Sequence, residues 1–120
     1  MPSYQANAGG LSDGAAYNPS TRTWTRMPRS PLSPRGGATA VWMGKEAMFW
    51  GGGAIVGQGH DAFSNGAAYD PVTATWRTLP RSPLGARIDA TTFWDGSRVI
   101  IFGGTTADLR SLYDLSLIHI

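Results

Sequence analysis

The 120-residue chain has no cysteine. Disulfides, thiolate metal sites, cysteine nucleophiles and redox-active thiols are therefore excluded within it. Lysine is almost absent too, with Lys45 alone beside nine arginines and eight acids, for a formal net charge of +2. No block of like charge occurs, so neither a nucleic-acid arm nor a polybasic membrane patch is read here. Apolar runs are short, and none approaches the roughly 20 residues that a membrane-spanning helix needs. Residues 1–10 carry no apolar run with a basic flank, so no signal peptide is read there. Stretches free of glycine and proline are too brief for long helices.

What the chain does have is turn formers and aromatics: 16 glycines, 8 prolines, five tryptophans, four tyrosines and four phenylalanines. Short aromatic and β-branched segments separated by glycine turns predict an all-β architecture.

The strongest signal is an internal repeat. A shift of 52 residues superposes 14–52 on 66–104 without a gap, with 20 identities in 39 positions. Tyr17 falls on Tyr69, Trp24 on Trp76, Arg35 on Arg87, and Gly51-Gly52 on Gly103-Gly104. Leu112-Tyr113-Asp114 gives a shorter third echo. Each unit reads as four strands. The first, at 38–42 or 90–94, leads through a Gly44 or Gly96 turn to an apolar run at 47–50 or 99–102. After Gly-Gly and a variable loop come a strand ending in Tyr17 or Tyr69, a turn led by Asn18 or Asp70, and a strand carrying Trp24 or Trp76. One four-stranded sheet cannot bury both faces, so repetition around an axis is the expected remedy.

An apolar run ending in Gly-Gly, then a tyrosine and a later tryptophan, resembles the kelch repeat. The period also suits it, about 50 residues against about 40–45 for WD repeats. The resemblance rests on 47–52, Tyr69 and Trp76, with 99–104 and Tyr113 repeating them, and covers nearly the whole chain. It implies a β-propeller of four-stranded antiparallel blades with 38–42 innermost and 23–27 outermost. The expected division is a preceding loop at 1–12, two outer strands at 13–28, a complete blade at 35–80 and three strands of another at 87–114. That amounts to about two and a quarter blades, a partial propeller expected to self-associate. Residues 115–120 are expected to be a non-native tail, because Leu-Ser-Leu-Ile-His-Ile is the translation of a transposon-derived sequencing adapter. Tyr17, Trp24, Tyr69 and Trp76 are expected to wedge one blade against the next.

For function, the resemblance implies a protein- or glycan-binding scaffold that uses its loop face, with no cofactor and no catalytic role. The alternative is part of a propeller enzyme, a galactose-oxidase-like oxidase or a sugar-acid isomerase, with its catalytic residues elsewhere. Location is left open, with a lean by resemblance toward bacterial secreted or envelope proteins. Arg35 and Arg87 recur beside the loop face and suit acidic ligands through bidentate bonds, or else bind neighbouring carbonyls structurally. Asp89 replaces Gly37 of the other repeat and is expected to pair with Arg87 or Arg35. His60 and Asp61 complete the candidate set. They follow Gly57-Gln58-Gly59, which resembles a dinucleotide loop but precedes no helix, and is therefore read as a flexible connector.

Overall fold

The computed structural model describes residues 11–56 and 59–106. Within them the chain is all-β. Its strands are β1 (Ala15–Asn18), β2 (Thr23–Arg26), β3 (Thr39–Trp42), β4 (Ala47–Trp50), β5 (Gly53–Val56), β6 (Gly59–Ala62), β7 (Gly66–Asp70), β8 (Thr75–Thr78), β9 (Thr91–Trp94) and β10 (Val99–Phe102).

The central unit is a four-stranded antiparallel sheet in the order β3-β4-β7-β8. This is the sheet expected over 35–80. Its interior strands are the apolar ones: β7 is buried along its whole length, and Met48 and Trp50 of β4 are buried too. Burial on both faces is what a short, continuously apolar strand requires. On one side stands the β1–β2 pair, and on the other the β9–β10 pair. Strands β3 and β9 lie side by side, joined by a 2.8 Å hydrogen bond between Thr39 Oγ1 and Thr92 Oγ1.

The repeat is reproduced bond by bond. Asn18 Oδ1 accepts from Ser20 N–H at 2.9 Å, as Asp70 Oδ1 does from Val72 N–H, the local bonding that makes Asn and Asp turn leaders. Each of these turns then places a residue in the left-handed region, Arg22 at φ 59° and Ala74 at φ 56°. Ser30 and Ser82 cap the Pro-Leu turns through bonds to Leu32 and Leu84 N–H. The Gly36–Gly53 bridge recurs as Ile88–Thr105.

Two expectations need correction. The segment read as a flexible connector is a β-hairpin: β5 pairs with β6, Ala54 opposite Asp61 and Ile55 opposite His60. The β-branched pair Ile55-Val56 followed by Gly-Gln-Gly in the sequence is a hairpin signal, outweighed there by loop length. Second, Tyr17 and Trp24 do not wedge two sheets together. They are 48% and 70% exposed. Tyr69 is buried, and Trp76 reaches the preceding unit, its Nε1 donating to the Pro28 carbonyl at 2.9 Å. The strand expected at Tyr113, together with residues 1–10 and 115–120, lies outside the described residues.

Candidate functional site

The site is built from one edge of the central sheet, where β3 begins and β4 ends. Gly51 and Gly52 turn the chain there with φ of 76° and 96°, values open to glycine at little cost. Their neighbours would also exclude a side chain. A Cβ on Gly51 would sit 2.8 Å from the Arg87 carbonyl oxygen, and one on Gly52 would sit 2.7 Å from that of Gly36. The close approach allows Gly52 N–H to donate to Arg87 C=O at 2.9 Å. The loop before β9 is thereby locked onto the central unit.

Arg35 serves as the strut of this edge. Its Nε donates to the Ser33 carbonyl at 3.0 Å and its Nη2 to Ser33 Oγ at 3.1 Å. Its Nη1 donates to the Gly51 carbonyl at 3.1 Å and to Asn65 Oδ1 at 2.8 Å. The guanidinium also lies 4.1 Å from the centre of the Phe63 ring, a cation–π stack. Partial burial pushes the Arg35 pKa below the ordinary arginine value. The group still carries its charge at any physiological pH, since arginine starts so high. Arg87 repeats the core of the pattern, with Nε on the Gly85 carbonyl and Nη1 on the Gly103 carbonyl. Of the two readings of these arginines, carbonyl bonding is the geometry seen. Asn65 and Phe63, the further partners of Arg35, carried no signal in the repeat.

Asp89 is different. Its backbone adopts φ 57°, where the other repeat has Gly37 at φ 69°. Aspartate tolerates this region better than most residues because of its short polar side chain. Its N–H donates to the Gly37 carbonyl at 2.8 Å, so the two equivalent positions touch across the seam between units. The expected pairing with Arg87 or Arg35 does not occur; among the described residues the Asp89 carboxylate is in no ion pair. Both arginines turn back toward carbonyls of their own units, while Asp89 is exposed, its carboxylate lying over Gly37.

The β5–β6 hairpin rises beside it. Gly53 at its root bonds Gly36 in both directions at 2.8 Å and lies against Ile88 and the Asp61 backbone. The edge therefore gathers Arg35, Arg87, Asp89 and Asp61, with His60 on the same hairpin strand. Asp61 is exposed like Asp89. The edge thus carries two exposed aspartates on a frame bonded by two guanidiniums. Among the described residues no group of three or more His, Asp or Glu stands where a metal ion would be held. No described helix is long and apolar enough to cross a membrane.

No family model and no curated protein matches the chain. Among solved structures it resembles YjhT, with a TM-score of 0.61 at 22% identity, over 81% of this chain. The aligned part spans only 29% of YjhT's own length, and at this identity the likeness is one of fold.

Proposed function

We propose that the chain is part of a kelch-type β-propeller whose loop edge is a binding surface for a protein or a carbohydrate. The propeller reading is supported by the repeated units, by the inner strands β3 and β9 lying side by side, and by Trp76 bridging two units.

The observation that carries the binding role is the break in the repeat at one edge. Features that recur every 52 residues are structural, and Arg35 and Arg87 have structural bonds to match. The repeats differ at 19 of the 39 superposed positions, and at this edge the difference is Asp89 in place of Gly37, beside the hairpin that carries His60 and Asp61. Asp89 and Asp61 are both exposed at this edge. Carboxylates held this way accept hydrogen bonds from sugar hydroxyls or from basic protein groups. Among the described residues no nucleophile is seen beside a base at this edge, and binding is the function favoured.

The test is a glycan array and an immobilised peptide library, both probed with the chain. Asp89→Asn and Asp61→Asn are expected to weaken the interaction at least about tenfold, in line with the loss of a charge-assisted bond. Arg29→Ala and Arg81→Ala, which alter exposed side chains away from this edge's bonding, are expected to leave it unchanged. Binding that survives both aspartate changes would move the surface elsewhere.

A further inference from the structure

Asn65-Gly66 is the one Asn-Gly pair in the chain, and its glycine opens the buried strand β7. The pair carries a chemistry of its own. The backbone nitrogen of the second residue attacks the side-chain amide carbon of the first, and glycine offers that nitrogen with no Cβ in the way. Gly66 is not open to exchange for a residue that would slow the attack. A Cβ there would stand 2.5 Å from the Phe49 carbonyl oxygen and 2.8 Å from the Trp50 ring.

Water reaches the site, since Asn65 is exposed. What the fold withholds is the geometry. Ring closure needs the Asn65 side chain to swing onto the Gly66 nitrogen and the peptide between them to rotate. Both are tied down. Arg35 Nη1 donates to Asn65 Oδ1 at 2.8 Å and to the Asn65 carbonyl at 3.4 Å. The same carbonyl accepts from Gly51 N–H at 3.0 Å, and the Gly66 carbonyl accepts from Leu79 N–H at 3.0 Å. Arg35 is itself held by Ser33, by the Gly51 carbonyl and by the Phe63 ring, so it does not follow a moving amide.

We propose that Asn65 is a deamidation site that Arg35 keeps closed, and that it reacts when the edge around Arg35 opens. In the reaction the Gly66 nitrogen gives up its proton and bonds to Asn65 Cγ. The bond from Cγ to the side-chain nitrogen breaks, and that nitrogen leaves as ammonia with the proton. One water then opens the five-membered succinimide at either carbonyl, leaving aspartate or isoaspartate. Nothing is oxidised or reduced.

A guanidinium bonded to Oδ1 also favours the oxyanion that forms as the ring closes. Arg35 thus has two opposed effects, and their sizes decide between them. One oxyanion donor is worth about 100- to 1,000-fold in rate. Alignment of the reacting groups is worth about 100,000-fold or more. Alignment wins, so Arg35 is a lock and not a catalyst.

The two products affect the fold differently. The counterpart of Asn65 in the other repeat is Asp13, so a carboxylate suits this position, where it would meet Arg35 as an ion pair. Isoaspartate adds a methylene to the backbone ahead of β7 and displaces the register that sets Gly66 opposite Trp50. Either product adds a negative charge to the edge that bears Asp61 and Asp89. The reaction needs no partner, so its outcome is separate from that of the binding surface.

The test follows deamidation of the full chain at neutral pH by mass spectrometry. The tryptic peptide 46–77 reports it, because Asn65 is its sole asparagine. The folded parent should deamidate at least about tenfold more slowly than the same chain in urea. Arg35→Ala should raise the native rate at least about tenfold, with isoaspartate among the products. Ser33→Ala frees one tether of the guanidinium at an exposed position and leaves the chain folded, and should raise the rate less. Arg87→Ala removes the equivalent side chain, which bonds Gly85 and Gly103 and not Asn65, and should leave the rate at the parental value.

Equal rates for the parent with and without urea would overturn the proposal. So would a rate in Arg35→Ala or Ser33→Ala no higher than the parent's, an equal rise in Arg87→Ala, or aspartate formed without isoaspartate.

Discussion

Tyr17 with Trp24 and Tyr69 with Trp76 are the same two side chains at the same spacing in the same kind of hairpin. Their ring centroids stand 5.0 and 4.9 Å apart, with the planes tilted by 47° and 49°. Cross-strand pairing sets that geometry, and it is indifferent to what lies outside. The surroundings differ completely. Tyr69 is 8% exposed and Trp76 donates a bond to the neighbouring unit, whereas Trp24 stands 70% in water. Gly51 and Gly103 make the same point with backbone. Both adopt nearly equal φ, 76° and 75°, yet an added Cβ would strike the Arg87 carbonyl at 2.8 Å in one case and meet nothing within 4 Å in the other. Conformation is therefore inherited from the repeat, while stability is conferred by the adjacent unit.

The comparison can be broken most directly at the tryptophans. Trp76→Ala should destabilise the chain by about 3 kcal/mol, the usual cost of removing a packed indole. Trp24→Ala should leave the unfolding of the dilute chain within about 0.5 kcal/mol of the parent, as exposed changes do. Equal losses, measured by urea denaturation, would show that burial does not separate the two units.

Next in size is the glycine pair. Gly51→Ala and Gly103→Ala share the left-handed strain of about 1 kcal/mol. Only Gly51→Ala also drives a methyl group into the neighbouring backbone, for about 2 kcal/mol more. Thermal midpoints of the two variants measure the inter-unit contact with conformation held constant.

The turn residues give the converse control. Ala74→Gly and Arg22→Gly should each stabilise by about 0.5–1 kcal/mol, because both relieve the same local strain at φ 56° and 59°. Calorimetry should find the two gains alike despite the difference in burial nearby. Unequal gains would mean that the neighbours also shape the turns.

The smallest expected effect is on pH. The hydrogen bonds from Arg77 hold the Glu46 carboxyl below its usual range, and the Ser97 and Arg98 backbone N–H groups hold Asp95 below its own. A depressed folded-state pKa contributes stability that is complete above the unfolded value, near about 4, and is lost as pH falls through the folded one. Stability should therefore decline modestly below about pH 4. Glu46→Gln should flatten that part of the curve attributable to the cross-sheet pair. An unchanged acid limb in that variant would show the exposed pair contributes nothing, as many surface pairs do.

Most of the fold was legible in advance because its causes are local. Gly44 and Gly96 mark the tight turns with φ of 87° and 104°, Asn18 and Asp70 lead the longer ones, and the apolar runs are the interior strands. The candidate edge was only half legible. The recurrence of Arg35 and Arg87 was visible, but their acceptors are mostly backbone carbonyls, which every residue carries and no pattern distinguishes. The Asp89 position was visible as a break in the repeat. Its touching Gly37 across the seam was not, since that contact joins positions 52 residues apart.

The sequence by itself determined the repeat, the antiparallel four-stranded unit and the register within it, because turn chemistry and strand alternation act over a few residues. Only the tertiary structure decided which of two identical aromatic pairs is buried, which glycine is indispensable and which charged groups face outward. Those outcomes depend on what stands next to a unit in space. Two copies of one sequence cannot encode that difference themselves.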